Sequence, residues 1–431
     1  MSHSQNIREK HNEYLFAAVK NFYKEPIVVE SGKMFRVKDL DGKSYLDFFG
    51  GILTVSVGHA NEEVNTAVIA QVEKLTHISS LYQSVPVVEF AEVMAKLAPN
   101  NLEKVFFTAS GTEADETAVM MAQVFTGNSE LIALRHGYSG RSLLAQSLTA
   151  HSSYRALPTQ VSAIKHALSP YCYRCPFKQK PDTCGMECAK DVDELIKTTT
   201  TGKIAGMLVE PIQGVGGFIT PPDEYFQIVA EIVRKYEGIF ISDEVQTGFG
   251  RTGKTWGIDH SGVEPDMITT AKGIANGLPL AAVVTTDKIA SSLDKNTIST
   301  FGGNPVSCAA ANATVNIIER DDLTSNSEEM GNHLFDGLRK IQGNHKEIMG
   351  DIRGKGLMVG VELVVNETTN DRTPNTKVVD QLLEETKSRG LLIGRGGLYG
   401  NCVRITPALN ITKDEVDEAI EILTESFNAV D

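Results

Sequence analysis

The sequence predicts an α/β protein: a large region built on a mostly parallel sheet covered by helices, followed by a smaller α+β region. Two observations predict it. From about Asn61 to Thr300, short apolar runs of strand length alternate with stretches of helical period, the signature of successive strand–helix units. After Pro305 that alternation stops, and long amphipathic helices surround only a few strand signals. At 431 residues, with 41% hydrophobic and 22% charged, the chain can support more than one core. The expected division is 1–60, an N-terminal helix and hairpin contributing to the small domain; 61–308, the large domain; and 309–431, a linker helix and the C-terminal small domain.

In chain order, Asn6 to Lys20 mixes charges with apolar residues at helical spacing and is expected to be a short helix. Met34 to Tyr45 suggests a hairpin turning at Asp41 and Gly42, and Leu46 to Ile52 a glycine-kinked apolar segment. Strands are expected over Val105–Thr108, Leu131–Leu134, Ile204–Val209, Gly238–Ser242 and Leu280–Thr285, with a further signal at Met267 and Ile268. Between two of them, Tyr225, Ile228, Val229, Ile232, Val233 and Tyr236 mark an amphipathic helix. Ala309 to Arg320 is expected to be the linker helix, and Met330, Leu334, Leu338 and Ile341 the stripe of the next, capped by Ser325 and Glu328. Met358–Val364 and Val403–Ile405 are strand signals, and a last helix carries Val416, Ile420, Leu423 and Phe427 behind a cap of Thr412 and Glu415.

Parallel strands present their C-terminal ends on one edge, where open α/β sheets bind ligands. Asp243 ends one strand and Lys272 follows another, 29 residues later (272 − 243). An amine able to form a Schiff base beside an ionised carboxylate suits pyridoxal phosphate, whose ring nitrogen must stay protonated to act as an electron sink. The same two residues also fit an ordinary ion pair. The connection Ala109-Ser110-Gly111-Thr112 leads from a strand into a helix, where free N–H groups point at an anion. Gly111 and Thr112 are therefore candidate phosphate binders, although a plain turn capped by Ser110 or Thr112 fits too. After Leu134, Tyr138 has the shape to stack on a flat ring and Arg141 to clamp a carboxylate, while core packing and surface charge are their commoner uses. Arg404 sits between Val403 and Ile405 on a strand, and Glu210 ends another as a potential acidic partner for such an Arg.

Together these stretches resemble a known family. Ser110-Gly111-Thr112-Glu113-Ala114, Glu210-Pro211-Ile212-Gln213-Gly214, the run from Asp243 to Gly253, Lys272-Gly273 and Thr300-Phe301-Gly302-Gly303-Asn304-Pro305 look like the motifs of class III pyridoxal-phosphate aminotransferases. Gly354-Lys355-Gly356-Leu357-Met358 and Arg404-Ile405-Thr406-Pro407 extend the resemblance over nearly the whole chain. It implies the fold of type I pyridoxal-phosphate enzymes and a ping-pong transfer of an amino group to a 2-oxo acid. It makes Lys272 the Schiff-base lysine and proton carrier, and pairs Asp243 with the ring nitrogen. Val245 would lie beneath the ring, Gln246 on its O3′ and Tyr138 above it. Ser110, Gly111 and Thr112 would hold the phosphate, joined by Thr300 of a neighbouring subunit, so a homodimer or a dimer of dimers is implied.

In relatives acting on 4-aminobutyrate or ornithine, the Arg matching Arg141 takes the remote carboxylate and the one matching Arg404 the α-carboxylate. The Glu matching Glu210 masks that second Arg while the ω-amino donor is bound. Tyr138-Ser139-Gly140 departs from the family's usual aromatic, His or Trp, Gly run. The expected donors are ω-amino acids of the 4-aminobutyrate or β-alanine type, or alanine, and the acceptors 2-oxoglutarate, pyruvate or glyoxylate. Alanine–glyoxylate type transfer and a lyase of the same family are the alternatives.

Cys172, Cys175, Cys184 and Cys188 have a spacing that can bind structural zinc, or stay free or pair in a loop insertion. The formal charge of −14 argues against nucleic acid or an anionic membrane as partner. No run of membrane-spanning length and no secretory h-region is present, so the cytoplasm is the expected compartment. A serine hydrolase is excluded because Gly137-Tyr138-Ser139-Gly140-Arg141 lacks the last Gly of G-x-S-x-G. The glycines at 394, 396 and 400 precede a strand signal, where a dinucleotide fingerprint needs a helix.

Overall fold

The computed structural model describes residues 2–158 and 161–430. Its central sheet has seven strands in the spatial order Lys104–Thr108, Ala281–Thr285, Met267–Thr270, Ile239–Asp243, Gly206–Val209, Leu131–Leu134, Ile164–Ala167. From Met267–Thr270 to Ile164–Ala167 every pairing is parallel, while Ala281–Thr285 runs antiparallel to both of its neighbours. Side chains alternate across such a sheet, and here both faces are apolar. Ile132, Leu134, Met207, Val209 and Phe240 enter one core, and Leu131, Ala133, Leu208, Ile239 and Ile241 the other. Burial on both faces explains why these strands appear in the sequence as unbroken apolar runs.

A separate core lies beneath a second sheet formed by Met349–Lys355, Met358–Asn366, Cys402–Ile405 and Gly394–Gly396, with Asp371–Pro374 paired to Met358–Asn366. The helices Leu323–Asn344, Thr376–Ser388 and Lys413–Val430 cover it with Leu334, Leu338, Leu382 and Phe427. Leu46 and Phe48, from the strand Ser44–Asp47 and just beyond it, enter the same core. Helix Pro305–Arg320 begins with Asn304 accepting from Val306 and Ser307 N–H groups and Pro305 in its first turn, packs against helices Glu62–Lys74 and Val85–Leu97, and contributes Cys308, Ala311 and Val315 to the first core.

Several expectations shift. The first helix is His3–Tyr14, not Asn6–Lys20, because Ser2 caps it through Gln5 N–H, and Leu15, Phe16 and Val19 lie outside it, exposed. Helix Leu323–Asn344 is capped by Asp322, which accepts from Ser325 N–H, so Ser325 and Glu328 are not its capping box. Strand Ile164–Ala167 was not expected: its Ile-Lys-His-Ala sequence alternates too weakly to stand out, and its place is set by pairing with Leu131–Leu134. The hairpin turning at Asp41 and Gly42 is present between Arg36–Asp39 and Ser44–Asp47, where Asp39 accepts from the N–H groups of Asp41 and Lys43.

A buried charged network ties the loop after strand Ile164–Ala167 to the second sheet. Glu362, with no exposed surface, accepts from Arg353 Nη1 at 2.7 Å, Arg174 Nε at 2.5 Å and the Tyr171 hydroxyl. Burial pushes the Glu362 carboxyl up, but Arg353, Tyr171 and Arg174 together bring it below the usual carboxylate range. A carboxylate whose folded pKa is depressed stabilises fully above its unfolded value, about 4.3, and loses that contribution as pH falls through the folded one. Glu362→Gln is therefore expected to lower stability at neutral pH by about 3–5 kcal/mol, the range for stranding buried charges. Urea midpoints across acid pH check this, and a variant as pH-sensitive as wild type below about pH 4 would contradict it.

Candidate active site

The C-terminal edge of the central sheet opens into a cavity of about 340 Å³. Asp243 reaches it as the last residue of its strand, Glu210 follows Val209, and Lys272 follows Ala271 behind strand Met267–Thr270. Lys272 starts a short 3-10 turn with φ 43°, a left-handed conformation that costs energy for a side chain of this kind and is held by the surrounding packing. Ser110, Gly111, Thr112, Tyr138, Val245 and Gln246 line the same cavity.

Ser110 Oγ accepts from Glu113 N–H at 3.3 Å and caps helix Gly111–Thr126, so it serves the helix start itself. The first-turn N–H groups of Gly111 and Thr112 have no intrahelical acceptor and form the positive end of that helix. A Cβ on Gly111 would lie 3.3 Å from Val245 Cγ2, so the bare backbone lets the loop close against Val245. Tyr138 is half-buried, edge-on to Tyr154 at 5.3 Å, and burial raises its phenol.

The carboxyl groups of this space are buried. Glu210 accepts from Tyr138 N–H at 3.0 Å and Gly214 N–H at 2.8 Å, while Asp243 accepts from Val245 N–H at 3.0 Å. Burial, then the charge of Asp243, raises Glu210 to about 8, and burial raises Asp243 to about 6. Burial lowers the Lys272 amine against the pull of Asp243 and Glu210. A nucleophilic amine with weakened proton affinity, beside two carboxyl groups in a cleft, is poised for imine formation and proton movement.

Similarity to known proteins decides the family. The model of class III aminotransferases matches residues 18–427. The chain belongs to the class III aminotransferases. It is similar to an alanine–glyoxylate aminotransferase 2 homologue, named as mitochondrial, from Arabidopsis thaliana, at 41% identity over 98% of this chain and 87% of that one. Among solved structures, an aminotransferase from Bacillus anthracis superposes with TM-score 0.92 at 31% identity over the full length of both chains. An amine transaminase from an uncultivated Pseudomonas species, solved with pyridoxal phosphate bound, superposes with TM-score 0.89 at 28% identity over 97% of this chain and 98% of that one. This fold is therefore that of the type I pyridoxal-phosphate enzymes, and the cofactor of this aminotransferase is pyridoxal phosphate.

The cavity of the aminotransferase fits that cofactor. Gln246 Oε1 is buried with no hydrogen-bond partner among the described residues, a polar atom awaiting a donor. The N-terminal turn of helix Gly111–Thr126 offers an anion site, and Lys272 and Asp243 reach the same space.

Three expected residues lie off the cavity wall. Arg141 is exposed, carried outward as Ser142 bonds Glu116 and caps helix Leu143–Leu148. Thr300 lines a separate surface depression with Glu113, Ile298 and Phe301. Arg404 is buried behind the cavity with its guanidinium 5.0 Å from the Phe49 ring and 5.6 Å from the Phe218 ring. Its Nε donates to the Arg395 carbonyl at 3.0 Å, and its Nη1 has no partner among the described residues. Burial lowers it to about 10. No ion pair joins it to Glu210 among the described residues; Glu210 turns instead to two backbone N–H groups.

Cys172, Cys175, Cys184 and Cys188 are free, and no described group of three or more His, Cys, Asp or Glu side chains is arranged to hold a metal. Cys184 donates to the Pro181 carbonyl at 3.5 Å, and burial followed by the neighbouring thiols raises Cys172 and Cys188 to about 11.

Asp115 lines the cavity and was missed in the sequence. It stands four residues after Gly111, on the same helix face, which is the signal that would have found it. A Cβ at Gly140 (φ 130°) would meet Thr112 Oγ1 at 2.1 Å. Gly140→Ala is therefore expected to displace Thr112 and weaken cofactor binding about tenfold or more, equivalent to losing one charge-assisted hydrogen bond. Titration of the cofactor-free protein with pyridoxal phosphate measures it, and an unchanged Kd would remove Thr112 from the phosphate site.

Proposed function

We propose that this aminotransferase takes its amino group from an ω-amino acid of the 4-aminobutyrate or β-alanine type, or from alanine, and passes it to 2-oxoglutarate, pyruvate or glyoxylate by a ping-pong mechanism. The convergence of Lys272 and Asp243 on one cavity with Gln246, whose Oε1 has no partner among the described residues, carries this reading. Pyridoxal phosphate, when bound, supplies the electron sink for the carbanion formed at the donor carbon. Lys272 holds the cofactor and, as the amine with lowered proton affinity, moves the proton off the donor carbon and back. Asp243 would keep the ring nitrogen protonated, Val245 and Tyr138 would pack against the ring, and Gln246 would bond the ring oxygen. Gly111, Thr112 and the Ser110 cap cradle the phosphate.

Arg404, with Nη1 unpartnered in an apolar surround, favours a substrate carboxylate there. Alanine as donor and glyoxylate as acceptor gain support from the Arabidopsis relative's name. Arg141 is exposed and reaches the remote carboxylate of an ω-amino donor, the only one 4-aminobutyrate and β-alanine have, when its loop turns inward, whereas alanine as donor does not call on it.

Thr300 joins the phosphate site of a second copy, making the working unit a homodimer. Exposed Ile298 at 57% and Phe301 at 63% beside it fit a surface that is covered in the assembly. The division into 1–60 with 309–431, against 61–308, is supported by the entry of Leu46 and Phe48 into the second core. Six free cysteines fit a reducing compartment such as the cytoplasm. No described helix is long and apolar enough to cross a membrane.

Lys272→Ala is expected to abolish turnover while leaving the fold intact, and borohydride treatment of the wild-type holoprotein to attach the cofactor to Lys272. Residual activity near wild type, or label on another residue, sinks the mechanism. A matrix of 4-aminobutyrate, β-alanine, ornithine, L-alanine and a carboxylate-free primary amine against 2-oxoglutarate, pyruvate and glyoxylate fixes both half-reactions, and activity with the carboxylate-free amine alone among the donors would reject the carboxylate role of Arg404. Light scattering of the holoprotein is expected to give a dimer or tetramer mass; a monomer with full activity would exclude Thr300 from the site.

A further inference from the structure

Among the acids of the cavity, Asp115 is one to which the reading above gives no role. It lies one turn into helix Gly111–Thr126 and is 1% exposed. On one side Thr269 Oγ1 donates to its Oδ1 at 2.7 Å. On the other stands Asp243, itself 4% exposed, which is paired in register with Thr269 on the neighbouring strand and so sets its carboxyl against that of Asp115 in the same cavity. Two carboxylates are both acceptors, so this contact holds only with a proton between them.

Which of the pair carries the proton follows from their partners. Asp243 accepts from the Val245 N–H at 3.0 Å and is drawn toward its ionised form by Lys272. Asp115 has the Thr269 hydroxyl, a weaker donor, and faces the charges of Asp243 and Glu210, with Lys272 ranking below both in its effect. Burial first, and then Asp243, raise the Asp115 carboxyl well above the usual range.

We propose that Asp115 is a positioning residue that keeps its proton at neutral pH and donates it to Asp243, fixing the Asp243 carboxylate and making it a weaker base toward the cofactor ring. The proposal rests on the reading that Asp243 meets the ring nitrogen. A less basic Asp243 leaves the proton on that nitrogen instead of taking it, which is the state the electron sink needs. A freely ionised Asp115 would do the reverse, since a second negative charge in the same dry space raises the basicity of the first.

Two variants and two readouts test it, all on the holoprotein. Infrared difference spectra at neutral pH, wild type minus Asp115→Asn, are expected to show a carboxylic-acid carbonyl band present only in wild type. Asp115→Asn keeps a donor of the same shape and is expected to hold the pH midpoint of the cofactor's visible band and its Kd within about threefold of wild type, under 1 kcal/mol. Asp115→Leu has similar size and no donor, and is expected to shift that midpoint and weaken Kd about tenfold or more, the worth of one hydrogen bond to a charged group.

No acid band in wild type overturns the proposal, and so does an Asn variant as impaired as the Leu variant. A Leu variant with wild-type midpoint and Kd overturns it as well. If Asp115→Leu fails to fold, the infrared band and the Asn variant decide alone. Failure of the underlying reading is distinct: Asp243→Asn would then leave the spectral midpoint where it was.

Discussion

The structure depends on holding an amine and three carboxyl groups in one space with little access to water. In solvent, Lys272, Asp115, Asp243 and Glu210 would each carry its ordinary charge, and their mutual influence would be screened. At the edge of a sheet buried on both faces, their proton affinities are set by one another and by the few N–H groups aimed at them. The rigid parallel ladder makes this tolerable. Strands Gly206–Val209, Ile239–Asp243 and Met267–Thr270 are adjacent and in fixed register, so the residues at their ends cannot drift apart to relieve the strain.

The cost of that arrangement is met by packing elsewhere. Both faces of the sheet are closed by aliphatic and aromatic side chains, with Phe240, Tyr225, Phe226 and Trp256 among the largest that are fully buried. Glu244, next to Asp243, shows how a buried acid is satisfied when it has no chemistry to perform. It accepts from the N–H groups of Gly257 and Ile258 and from the hydroxyls of Ser242 and Thr247. Gln246, two residues on, has an oxygen with no such partner. The contrast between these neighbours separates a structural acid from a group kept open for a ligand.

Much of this was legible in the sequence, and for a physical reason. Doubly buried strands must be apolar throughout, so Leu131–Leu134 and Ile239–Asp243 announced themselves, and the polar residues that break each run, Asp243 and Glu210 among them, mark the functional edge. What escaped was decided by single contacts. The start of helix Leu323–Asn344 depends on Asp322 in a left-handed conformation, which no periodicity encodes. Ile164–Ala167 is a strand because Leu131–Leu134 pairs with it. Asp115 sits inside an alanine-rich helix, where an acid on a short motif looks like a solvated residue until the fold turns it inward. Arg141 and Thr300 were readable as charges and hydroxyls but not as positions, because the loops that carry them are set by caps and turns, not by a repeating pattern.

The border strand of the central sheet has a consequence for how the chain matures. Lys104–Thr108 is the first strand of that sheet to be made and lies at its border, and its ladder partner is Ala281–Thr285, the last. During synthesis that opening segment therefore waits for most of the large domain to leave the ribosome before its backbone amides and carbonyls are paired. A nascent chain in that interval carries the apolar run Val105-Phe106-Phe107 unprotected, a site for holdase chaperones and, in crowded expression, for strand-to-strand association between unfinished copies.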